Sequence, residues 1–172
     1  MQTRPHASEH APFYAGYVAL VPETDVMGVL ESQAREVDAL LRSIPEAQAG
    51  VLHPPYTWTI KQVVGHLIDG ERIFAYRALR IARGDATPLP GFDENAYARS
   101  GEFDRLKLVQ LADEFAAVRR STVLQFRRLP DDAWSRVGTA NGSPASVRAI
   151  AFIIAGHVRH HVAIIRKRLS PV

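Results

Sequence analysis

Seven histidines are spread along the chain, and three of them stand where their chemistry could be shared. His157 and His161 are four residues apart, so on a helix both imidazoles project from one face. The rest of that face, Ile150, Ile153, Ile154, Ile164 and Ile165, is apolar. Two neutral imidazoles on an apolar stripe can grip a divalent cation; otherwise each must satisfy its ring nitrogens internally. His66 lies on a second apolar stripe and can supply a third nitrogen from across a bundle of helices. Taken alone, a histidine on a half-apolar helix is more often a satisfied core residue, and a four-residue histidine spacing recurs by chance. The three carry weight together. His160 also stands within reach of His157 and reads as rim or surface, while His6, His10 and His53 read as solvated.

The elements that must position these rings are helical. A first pattern runs from about Asp25 to Ser43, with Val26, Val29, Leu30, Val37, Leu40, Leu41 and Ile44 at three- and four-residue steps, and Pro45 stops it. A second starts after Thr59, which with Gln62 makes a capping box. Its stripe is Val63, His66, Leu67, Gly70, Ile73, Phe74, Arg77 and Ile81, closed by Gly84. A third is expected from Asp104, as N-cap, to Leu129, with Leu106, Val109, Phe115, Val118, Thr122 and Phe126 inward. The last runs from near Ser146 to near Leu169. Asp85–Phe103, rich in Pro, Gly and Asp, is a long loop of the kind that is usually functional or misassigned. Asp131–Pro144 is a connection carrying Trp134 and the turn pair Asn141-Gly142, and no stretch alternates as a strand. Four helices of about 20 residues, each about 30 Å long, predict an all-α four-helix bundle.

The 172 residues suit one domain, expected over 1–172, with residues 1–23 as an extended N-terminal arm punctuated by Pro5, Pro12 and Pro22. Phe13, Tyr14 and Tyr17 suggest that the arm packs on the body. Hydrophobic residues make up 47% and charged residues 23%, which excludes wholesale disorder. No apolar run approaches the roughly 20 residues of a bilayer span. Phe13–Val21 lacks a cleavage signal and runs into Pro22-Glu23, so the reading is a cytoplasmic protein without a membrane partner. The net charge of +3 is small and its signs are interspersed, and no aromatic–basic module points to nucleic acid. Cysteine is absent, which removes disulfides, iron–sulfur clusters and a cysteine nucleophile. Thiol chemistry would need a thiol from outside.

Several segments together carry a family likeness. Tyr56-Thr57-Trp58-Thr59-Ile60-Lys61-Gln62-Val63-Val64-Gly65-His66-Leu67 resembles the tryptophan-led second helix of the DinB/YfiT-like superfamily, with its first histidine. Gly156-His157-Val158-Arg159-His160-His161 resembles the paired histidines of that family's last helix, and the Pro-Gly-Phe-Asp-Glu-Asn loop also fits. The resemblance covers nearly the whole chain. It implies the four-helix DinB-like fold and a divalent metal held by His66, His157 and His161, with open positions. It further implies kinship with transferases and isomerases that use bacillithiol, mycothiol or glutathione, and with metal-dependent hydrolases.

Three neutral imidazoles leave a metal's +2 charge uncompensated, so bound water is acidified toward neutrality and a bound thiol gives up its proton. The expectation is a thiol-dependent S-transferase, in which a small-molecule thiol bound as thiolate attacks an electrophilic substrate. The alternatives are a hydrolase using metal-bound hydroxide, and a non-catalytic metal module. Imidazole suits several metals; zinc or nickel is the reading. Asp93 and Glu94, in the loop that can cover the bundle mouth, are the catalytic candidates, each set against turn capping or solvation. Arg77 is the candidate for binding a substrate or cofactor carboxylate, against a snorkelling default. Asp69 reads as solvent-facing; on the metal it would favour iron. Tyr97 and Trp134 read as core or rim. Apolar outer faces of such bundles commonly pair, so a homodimer through Phe13–Val21 is expected.

Overall fold

Asp25 and Thr59 start the first two long helices as their sequence signals require. The computed structural model describes residues 3–169, so the first two residues of the expected arm fall outside it. Helix α1 spans Ala15–Ala19, α2 Val26–Ser43, α3 Glu46–Ala49 and α4 Ile60–Ala82. The Asp25 carboxylate accepts the Gly28 N–H at 3.0 Å. At α4, Thr59 Oγ1 accepts the Gln62 N–H at 3.1 Å while Gln62 Oε1 accepts the Thr59 N–H at 3.0 Å, a reciprocal cap that satisfies two orphan donors.

The later elements depart from the sequence reading. α5 spans Glu94–Ser100, α6 Leu108–Arg127 and α7 Val147–Leu169. The segment read as the long loop 85–103 therefore contains a helix. α6 starts at Leu108 rather than after Asp104, because the Asp104 carboxylate is engaged elsewhere, accepting the Thr59 hydroxyl at 2.6 Å. Its buried stripe runs Leu108, Leu111, Phe115, Arg119, Thr122 and Phe126, leaving Val109 44% exposed. A charged side chain, Arg119, stands on that stripe, so apolar spacing alone does not trace its register. A hairpin also occurs where no strand was expected: β1 (Val137–Ala140) pairs antiparallel with β2 (Ser143–Ser146). Asn141 and Gly142 turn it with φ of 52° and 72°, the left-handed pair that short hairpins favour. Strands of four residues are too short for alternation to register. Leu89 is stitched to this hairpin through Leu89 N–H to Thr139 O and Asn141 N–H to Leu89 O, both 2.9 Å.

α2 packs on α6 and α7, and α4 packs on the same two helices, so the order around the bundle is α2, α6, α4, α7. Helices α2 and α4, though consecutive among the long ones, thus lie diagonally, as do α6 and α7; long connections are what permit this. α7 is the core helix. Residues 149–158 are all buried, and although α7 is long and apolar enough to cross a bilayer, its apolar surface is spent on its neighbours.

The N-terminal segment is not the extended arm expected. Short 3₁₀ turns at Ala7–Glu9 and Pro12–Tyr14 lead into α1, and proline at the start of such a turn sacrifices no needed donor. The segment does pack on the body. Glu9 Oε2 accepts from Arg148 Nε and Ser146 Oγ, both at 2.7 Å, and Arg159 donates to Leu20 O at 2.7 Å and to Glu23. α1 crosses α7 at Gly156, where any Cβ would fall on the carbonyl of Tyr17. Only glycine admits that crossing.

Candidate metal centre

α4 and α7 pack side by side, and their stripes place three imidazoles in one cluster. His66 Nε2 and His157 Nε2 lie 2.8 Å apart, although 91 positions separate them in the chain. The ring centroids of His161 lie 4.9 Å from those of His66 and 4.7 Å from those of His157. One nitrogen from each ring falls within 4.8 Å of the others. His66 and His157 share the stripe positions that face each other across α4 and α7; His161 follows one turn beyond His157.

The walls hold these rings in place. The Tyr17 ring meets His157 at 5.3 Å, Phe74 meets it at 6.0 Å, and Trp58 meets His66 at 5.0 Å. Gly70 leaves the room that His157 occupies, since a Cβ there would come 3.1 Å from His157 Cε1. His160 falls outside the trio, against the Tyr17 ring at 5.4 Å and His161 at 4.9 Å.

Burial decides the charge of the trio. Desolvation, followed by the repulsion of His161 and His66, holds His157 well below the usual imidazole value. Desolvation likewise pushes His161 down to about 3, helped by His66 and His160. His66 is lowered by burial, with Glu94 pulling the other way. The three are therefore neutral at physiological pH, which is the protonation state that metal binding demands. The donor set fits a divalent ion of the kind imidazole favours. No carboxylate belongs to the cluster among the described residues.

A cavity of about 530 Å³ opens onto the three rings, within the range of small-molecule sites. Its walls are aromatic (Tyr14, Tyr17, Phe74 and Phe92), closed on one side by Asn141 and Ser143 of the hairpin. Glu94 and Arg77 line it. Arg77 does not snorkel: it is 3% exposed, donates to Pro90 O at 2.6 Å, and packs against the Phe74 ring. Asp93 is brought to a different task. Its carboxylate caps α5, accepting the Asn95 and Ala96 N–H groups at 2.9 and 3.0 Å, and it does not line the cavity. Asp69, read as solvent-facing, is half-buried and turns toward Arg72. Tyr97 is exposed, and Trp134 is core, packed on Phe126. His10, read as solvated, is buried, with Nδ1 2.9 Å from Ala11 O; His6 is exposed and His53 half-buried.

Sequence reasoning missed the hairpin wall and the roles of Tyr17 and Phe74 beside the imidazoles. For Phe74 the signal was present, one turn beyond Gly70 on the His66 stripe. For Tyr17 only its aromatic character in an arm pointed inward.

The family model of the DinB superfamily matches residues 30–165. Among solved structures, the chain superposes on YfiT from Bacillus subtilis, described as "a probable metal-dependent hydrolase with an unusual four-helix bundle topology". That match has a TM-score of 0.68 at 18% identity and covers 97% of this chain and 91% of that one. A mycothiol-dependent maleylpyruvate isomerase matches with a TM-score of 0.69 at 17% identity. It covers 84% of this chain, which spans 61% of the isomerase's length. At such identities the likeness concerns the fold. No curated protein matches the chain.

Proposed function

Because the chain belongs to the DinB superfamily, we propose that it is a metal-dependent enzyme in which His66, His157 and His161 hold one divalent cation, zinc or nickel, and a small-molecule thiol is transferred to an electrophile. One observation carries this reading. Three neutral imidazole nitrogens within 4.8 Å of one another face a cavity large enough for a small molecule. A trio that merely stapled helices together would be closed off, whereas catalytic sites keep an approach. A divalent ion held by His66, His157 and His161 would supply an uncompensated positive charge, the chemistry that lowers the pKa of a thiol or water.

The chain's own residues supply the rest. Tyr17, Phe74 and Trp58 fix the imidazole rings and exclude water from their flanks. Glu94, the first residue of α5 and on the cavity wall, takes up the thiol proton on its carboxylate. Because cysteine is absent, the sulfur nucleophile comes from outside, and the mycothiol dependence of one fold relative agrees with this. The exposed Phe13 and Leu20 are the apolar surface through which two copies would pair.

A second reading, hydrolysis, is favoured by the near-complete overlap with YfiT. One set of measurements separates the two. Protein purified without chelating resin is expected to contain one divalent ion per chain by elemental analysis. His66→Ala and His161→Ala are each expected to weaken its binding by more than roughly 100-fold, beyond the loss of an outer partner. Supplied with thiol and electrophile, the loaded enzyme forms the conjugate; cleavage of an ester without any thiol requirement overturns the transferase in favour of the hydrolase. Failure to retain any divalent ion overturns both.

A further inference from the structure

The interior also holds a buried arginine close to the imidazoles, Arg77. Arg77 follows His66 by eleven positions on α4, so the two share a face with about 16 Å of helix between them. Its guanidinium is 3% exposed, lines the cavity, and makes one hydrogen bond, to Pro90 O. A guanidinium carries five donors and does not lose its charge in a protein. No nitrogen of Arg77 is sealed away from solvent without a partner, so its free donors open into the cavity. Among the described residues no carboxylate pairs with it; Glu94 lines the same cavity, exposed and outside ion-pairing distance. The other interior arginine, Arg119, by contrast meets Glu71 through two bonds. Burying a charge without its counter-ion is costly, and the fork of arginine matches a planar carboxylate.

We propose that Arg77 binds the carboxylate of a small-molecule reactant, which lies along Phe74 with its reacting end at the imidazoles. This rests on the enzymatic reading above and narrows its substrate class to organic carboxylates. Phe74 bridges the two ends: its ring is 5.9 Å from the guanidinium carbon and 6.0 Å from the His157 ring. A flat, unsaturated or aromatic body fits against it. The carboxylate belongs either to the electrophile or to the thiol.

The test is calorimetric titration of the full chain, dialysed free of metal, with two matched pairs of probes. Benzoate and benzamide represent the electrophile; mercaptoacetate and 2-mercaptoethanol represent the thiol. The charged member of at least one pair is expected to bind about 10-fold or more tighter than its neutral partner, as a charge-assisted bond implies. Preference within the first pair assigns the carboxylate to the electrophile, and within the second to the thiol. Arg77→Gln should abolish that preference while leaving neutral-probe binding in place. Absence of preference in both wild-type pairs, which needs no variant to fold, overturns the proposal, as does a preference that survives Arg77→Gln. Metal content is measured separately on protein taken before dialysis, so failure here leaves the metal reading standing and its failure is read independently.

Discussion

Two polar clusters lie inside this bundle, five residues apart along α4 at His66 and Glu71, and they are built on opposite terms. At the first, Arg119, wholly buried, gives Nε and one terminal nitrogen to Glu71 at 2.7 and 2.8 Å. Its other terminal nitrogen goes to Gln33 Oε1 at 2.9 Å and Leu30 O at 3.2 Å, while Gln33 donates onward to Ala155 O at 2.8 Å. That network ties α2, α4, α6 and α7 together and leaves nothing for a visitor. At the second, the imidazoles find mainly one another and a cavity. Interior polarity that closes on itself is scaffold; interior polarity left open is where chemistry is placed.

The sharpest way to break this contrast is Arg119→Ala. It strands Glu71 as an unpaired buried carboxylate and is expected to cost about 3–5 kcal/mol in denaturant unfolding of the metal-free protein. Replacing Arg119, Glu71 and Gln33 together with apolar residues of similar volume should recover much of that loss. If the single substitution costs less than about 1 kcal/mol, the network is not the scaffold described.

A smaller effect is expected where the wall of the open cluster is seated. Gly156→Ala forces the Tyr17 backbone off α7 and should cost about 1–3 kcal/mol, the usual scale of overpacking. Near-ultraviolet circular dichroism should report the released Tyr17 ring. Unchanged stability and spectrum would show that α1 is not held at this crossing.

The smallest effect is a slope. An unfolded histidine titrates near 6.5, but desolvation makes the trio resist protonation, His161 down to about 3. As pH falls below 6.5 the unfolded chain binds protons that the folded one refuses, so stability declines with falling pH and rises with increasing pH. Glu9 and Glu23, held at about 2 by Arg148 and Arg159 against the effect of burial, act in the same direction but lower on the pH scale: their contribution is intact above about 4.5 and fades only beneath it. Between 6.5 and 4.5 the metal-free protein should therefore lose about 1 kcal/mol per pH unit for each of His157 and His161, the two most strongly lowered rings. His161→Gln should flatten the slope by one such share; parallel slopes would mean that the rings titrate freely.

The helices and the trio were legible in the sequence because both obey the 3.6-residue period: His66 on its stripe and His157 with His161 on theirs point where the period says. What escaped was set by tertiary pairing. No apolar pattern places Arg119 inside; Glu71, 48 positions away, meets it there. Asp104 reads as a cap until Thr59 claims its carboxylate. Asp93 and Glu94 are neighbours of equal charge, and only the start of α5 makes one a cap and sends the other to the cavity. The hairpin needed Leu89 as a third strand-like partner, a contact no local pattern encodes.

The stitch between Leu89 and the hairpin divides labour within the chain. The rings stand on helices, but the opposite side of the chamber is a short ribbon turned by Asn141 and Gly142. Lengthening or rewriting that ribbon would reshape what the chamber admits without moving an imidazole. The fold thus sets the imidazole cluster and the ribbon facing it on separate elements, so the shape of the chamber can change without rebuilding the helices that hold the rings.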